Sequence, residues 1–60
     1  MEKLIKTITR EMNGYMETIE VWEYEDYYSL NLINGDVSVS GSLEEIKGEY
    51  FEIFGEELCL

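Results

Sequence analysis

Ser29 to Ser40 reads SLNLINGDVSVS, with apolar and polar residues alternating on both sides of Asn34-Gly35. Two alternating runs around Asn-Gly predict a β-hairpin, because both central residues of a type I′ turn need positive φ. A tight turn there pairs Ile33 with Asp36, Leu32 with Val37 and Leu30 with Val39. Leu30, Leu32, Val37 and Val39 then share one face; Ser29, Asn31, Ser38 and Ser40 share the other.

The pattern extends in both directions. Residues 15–24, YMETIEVWEY, are rich in β-branched and aromatic residues and predict a strand. A turn at Glu25-Asp26 pairs Tyr24 with Tyr27, and so sets Val21 against Leu30 and Ile19 against Leu32. Two separate turns therefore place the same residues on the core face. Glu25-Asp26 is not a preferred turn pair, which leaves room for a bulge. Residues 3–12, KLIKTITREM, fit a strand or a helix. As a strand, a turn at Asn13-Gly14 pairs Met12 with Tyr15, Arg10 with Glu17 and Ile8 with Ile19. As a helix, Leu4, Ile5, Ile8 and Met12 line one side. The β-branched Ile5, Thr7, Ile8 and Thr9 favour the strand.

Residues 42–54, SLEEIKGEYFEIF, predict a helix. Ser42 and Glu45 match the capping-box pattern. Leu43, Ile46, Tyr50, Ile53 and Phe54 fall within about 100° of arc, and Gly55 supplies the stop. The fold class is α+β: a four-stranded antiparallel meander with one C-terminal helix on one face, ββββα. The alternative order is αβββα. Residues 1–60 form one small domain.

Sixty residues bury only roughly 60% of their unfolded surface, so stability calls for a well-packed core or self-association. One cysteine, Cys59, and no histidine exclude an internal disulfide and a structural zinc site. No apolar run approaches the roughly 20 residues of a membrane span. The single unpaired thiol and the lack of a signal peptide point to the cytoplasm.

Charge bounds function most sharply. Fourteen acids face four bases, for a net charge of −10, and nine acids with no base lie between Glu11 and Glu45. Direct binding to a duplex backbone is disfavoured, since neutralising phosphate takes Lys and Arg. A basic partner protein is favoured. An enzyme is not expected: with no histidine the commonest general base is missing, and Cys59 has neither a histidine nor a basic residue beside it in the sequence. No cofactor and no metal are expected, because neither Glu25-Asp26 nor Glu44-Glu45 sits in a calcium-loop pattern.

Two surfaces stand out as candidate partner-binding sites. Glu45, Glu49, Glu52 and Glu56 fall within about 60° of one helix face and span roughly 16 Å. Their spacing approaches that of successive phosphates in a strand, and like charges so close cost a few tenths of a kcal/mol each. Gly48, on the exposed side, costs roughly 1 kcal/mol relative to Ala and gives room for a partner backbone. The second surface is an aromatic patch. The strand register sends Ile5, Trp22, Tyr24 and Tyr27 to the outer face of the sheet, where exposed aromatics mark interfaces. A helix over residues 3–12 would instead cover Trp22.

Compact, acidic, base-poor chains such as this one resemble phage-encoded inhibitors of bacterial nucleases and CRISPR effectors in composition. That likeness implies inhibition by nucleic-acid mimicry on a basic, nucleic-acid-binding partner. Homo-oligomeric assembly, including a homodimer, is the structural alternative. A third possibility follows from topology. The ββββα order is similar to the positive-cofactor family of single-stranded-DNA-binding proteins, but their basic strand face is absent, Lys3 standing against Glu20.

Overall fold

The computed structural model describes residues 2–60. Four strands form one antiparallel sheet in the order β1-β2-β3-β4, followed by a single helix. They are β1 (Lys3–Met12), β2 (Tyr15–Glu23), β3 (Tyr28–Leu32) and β4 (Val37–Gly41), and the helix is α1 (Leu43–Phe54). Residues 3–12 are therefore a strand, and the ββββα order holds.

The type I′ conformation falls at Asn13-Gly14, where φ is 47° and 86°. That turn joins the two longest strands and pairs Met12 with Tyr15, Arg10 with Glu17 and Ile8 with Ile19. Ten residues of β1 extend about 34 Å at 3.4 Å per residue, which accounts for the 35 Å long axis of the molecule. The Glu25-Asp26 turn is tight, with the Tyr24 N–H donating to the Tyr27 carbonyl at 2.8 Å. Ile19 faces Leu32 and Val21 faces Leu30, and β4 continues with Leu30 on Val39 and Leu32 on Val37.

The hairpin at Asn34-Gly35 keeps the expected register but not the expected turn. Asp36, not Gly35, takes the left-handed conformation, with φ of 55°. The cause is a carboxylate from another strand. Glu17 is fully buried, and its Oε1 and Oε2 accept the N–H groups of Gly35 at 2.8 Å and Asn34 at 2.6 Å. Thr18 N–H adds a third bond at 3.1 Å. The Asn34 side chain donates to the Met16 carbonyl at 2.6 Å, and the Ile33 N–H to the Thr18 carbonyl at 2.9 Å. Gly35 is needed for close approach: a Cβ there would lie 2.9 Å from Glu17 Oε1. Glu17 is thus not a partner for Arg10, despite facing it in the ladder.

A bulge between Leu4 and Lys6 is the second departure. Leu4 pairs with Trp22 and Lys6 with Val21, leaving Ile5 as the extra residue. Ile5 packs against the core, so it does not belong to the outer aromatic patch, and Leu4 takes that place.

The core face carries Ile19, Val21, Leu30 and Leu32, closed by Ile46 and Tyr50 of α1 and by Leu58 beyond it. The helix lies over β3 and β4. Ser42 and Glu45 form the capping box, and Gly55 ends the helix at φ of 73° with its N–H on the Phe51 carbonyl. The segment after Gly55 runs back beside β1. Arg10 forms an ion pair with Glu56, and Lys6 Nζ donates to the Cys59 carbonyl at 2.6 Å. Two of the N-terminal bases thereby strap the tail that seats Leu58. None of the described helices is long and apolar enough to cross a membrane.

Changing Glu17 to Ala is expected to cost about 2–4 kcal/mol, since its bonds to three backbone N–H groups are lost. Gly35→Ala is expected to cost about 1 kcal/mol by displacing the same carboxylate. Urea midpoints measure both, and an unchanged midpoint for Glu17→Ala would show that the loop holds its shape unaided.

Candidate functional site

The helix brings Glu45, Glu49 and Glu52 to one flank, where they line a shallow depression with Glu44, Gly48, Val39 and Ser40. Glu56 is not part of it. The left-handed Gly55 breaks the helical period, and Glu56 turns instead to Arg10. The acidic row is therefore three residues of the expected four, joined by Glu44.

These carboxylates are not equivalent. Glu45 accepts the Ser42 N–H at 3.0 Å, while its own N–H donates to Ser42 Oγ at 3.2 Å. The backbone bond from Ser42, aided by the side-chain bond, holds the Glu45 pKa below the usual carboxylate value. Gly41 makes room for it, since a Cβ at Gly41 would stand 3.0 Å from Glu45 Oε1. Glu44, Glu49 and Glu52 are exposed and carry no ion pair among the described residues. A Cβ added at Gly48 would meet nothing within 4 Å, so the depression is open there.

The aromatic patch lies on the other face of the sheet. Trp22 stands opposite Ser29 and Leu4, half-buried, with Nε1 donating to Glu20 at 3.0 Å. Tyr24 and Tyr27 stack with ring centroids 4.7 Å apart, and Tyr27 is 44% exposed. Desolvation raises the Tyr24 phenol pKa, and Glu2 and Tyr27 add to the shift. Tyr28 is also raised, first by the Glu23 charge, to which its hydroxyl donates at 3.3 Å. The polar remainder of this face is ordered: Ser29 and Ser38 both donate to Asn31 Oδ1, at 3.0 and 2.8 Å.

Acidic row and aromatic patch thus occupy opposite layers, and a flat partner cannot cover both. The sequence reading missed Glu17, whose only signal is an acid at a core-face position two residues before Ile19. Among the described residues, no group of three or more His, Cys, Asp and Glu side chains is arranged to hold a metal ion. Comparison with family models, curated proteins and solved structures returned no match to this chain.

Two outcomes follow from the row's local chemistry. Because the folded Glu45 pKa lies below its unfolded value, its contribution is present above the unfolded pKa and is lost as pH falls through the folded one. The protection factor of the Ser42 amide, its exchange rate relative to the intrinsic rate at the same pH, should therefore fall on acidification, and Glu45→Gln should remove that dependence. Gly48→Ala should raise stability by about 0.5–1 kcal/mol in urea unfolding, being an exposed mid-helix glycine with free space around it.

Proposed function

We propose that this protein is a small acidic interaction module that binds the basic, nucleic-acid-binding surface of a partner protein and inhibits it by occupancy, in the manner of a phage-encoded inhibitor. The observation that supports this reading is the uncompensated row of Glu44, Glu49 and Glu52 on one flank of α1, in a chain of net charge −10. Stability alone does not select like charges at the i, i+4 and i, i+3 spacings of Glu45, Glu49 and Glu52. Their spacing along the helix suits a groove that holds phosphates, and Lys or Arg in such a groove meets carboxylates in charge-assisted bonds.

The row alone carries the contact in this proposal. The aromatic patch of Leu4, Trp22, Tyr24 and Tyr27 faces away from it and is a separate surface. Unaided binding of single-stranded DNA is disfavoured by the acids around that patch, Glu2, Glu20 and Glu23 among them.

Affinity capture from a bacterial lysate on the wild-type protein and on the Glu44→Gln, Glu49→Gln, Glu52→Gln variant tests the proposal. The wild type should retain a basic nucleic-acid-binding protein and block its nucleic-acid binding; the variant should do neither. Affinity should weaken steeply between low and physiological salt. Capture of the same protein by both versions, or binding indifferent to salt, would remove the row from the mechanism.

A further inference from the structure

The sheet has two edges, and they differ. The β1 edge carries Lys3, Lys6 and Arg10 and a bulge, features that discourage strand pairing. The β4 edge has none of these. Its sequence, VSVSG, contains no charge and no proline, and it pairs with β3 alone. It is a short, neutral strand with an open side.

Hydrogen-bond phase identifies the free groups. The bonds Tyr24 N–H to Tyr27 carbonyl and Ile33 N–H to Thr18 carbonyl set which β3 residues bond to β2. Those are Ser29 and Asn31, by the alternation of an antiparallel ladder. Tyr28, Leu30 and Leu32 then bond to β4, through Gly41, Val39 and Val37. The N–H and C=O groups of Ser38 and Ser40 consequently point away from the sheet.

We propose that this edge takes up an extended, lysine- or arginine-rich segment of a partner protein as a fifth strand, its basic side chains reaching the carboxylates on the flank of α1. Side chains of an added strand alternate, so every second one lies on the helix side. There it meets the depression that Val39 and Ser40 share with Glu45, Glu49 and Glu52. Glu45 to Glu52 spans about 10 Å of helix, and alternate strand residues repeat at about 6.8 Å. Two basic residues, two positions apart, therefore match the row. On the outer face the added strand meets only the neutral Ser38 and Ser40. The same acids exclude a second copy of this chain, because pairing two β4 edges would bring two acidic rows together. Strand addition deepens the proposed binding to a basic protein and rests on it.

The test uses the wild-type chain with a capped octapeptide of alternating Lys and Val, the same peptide with alternate backbone nitrogens methylated, and a Glu-for-Lys version. Titration calorimetry at low salt should detect binding of the first and a loss of at least about tenfold for the second, whose charge is unchanged but whose edge hydrogen bonds are blocked. The Glu version should not bind. Amide exchange at Ser38 and Ser40 should slow on binding. Ser40→Pro, which removes an N–H that β3 does not use, should weaken binding by a similar factor, and Glu49→Gln with Glu52→Gln should weaken it and flatten its salt dependence. Equal binding of the plain and methylated peptides would overturn strand addition while leaving an acidic docking surface intact. Loss of dependence on Glu49 and Glu52 would overturn the basic partner itself. A concentration-dependent dimer in sedimentation, abolished by Ser40→Pro, would assign the edge to a second copy and overturn the proposal.

Discussion

The cross-strand pairs Ile19–Leu32 and Val21–Leu30 are the constraint on which the molecule depends. Side chains alternate across a strand, so one such pair commits every other residue of both strands to a face. A slip by one residue would carry four fully or nearly fully buried apolar side chains into water, at about 1.5–3 kcal/mol each. The register also commits Glu17 to the core face. A carboxylate there costs a great deal unless it is hydrogen-bonded, and the Asn34-Gly35 loop meets that need with two N–H groups. Core packing and turn shape are therefore one problem with one solution.

The N-terminal bases have a structural use that their number alone does not reveal. Arg10 and Lys6 reach the segment beyond the helix through Glu56 and the Cys59 carbonyl. Leu58, 4% exposed, is held in place between these two contacts. A chain of 60 residues has little apolar area to spare, and a helix over β3 and β4 leaves the β1 side of the core open. The strapped tail closes it. Two of the four bases are thereby taken up on the β1 side, and Glu44, Glu49 and Glu52 on α1 carry no ion pair among the described residues.

That flank gives the molecule its polarity. Its carboxylates lie beside the one sheet edge without a charged residue, and the aromatic surface faces the other way. Repulsion among the acids disfavours self-pairing along the edge.

Much of the fold was legible in the sequence. Alternation, the Ser42–Glu45 box and Gly55 specify local structure through short-range sterics and hydrogen bonds, and strand order, register and helix limits follow from them. The helix-side row was legible as far as the helix runs. Other features required tertiary structure. The Asn34-Gly35 turn lost its type I′ form to a carboxylate 17 residues away in sequence, and a bulge, which local pattern does not register, exchanged Ile5 for Leu4 on the outer face. Glu56 left the row because the left-handed Gly55 ends the helical period and Arg10 of β1 pairs with it. The sequence by itself determined the acidity, the helix, the strands from β2 to β4 and the register among them, since each depends on neighbours within a few residues; residues 3–12 fitted a strand or a helix until the sheet placed them as β1. Only the tertiary structure decided which carboxylates are occupied, which remain free and which sheet edge they border, because those outcomes depend on contacts between residues far apart in the chain.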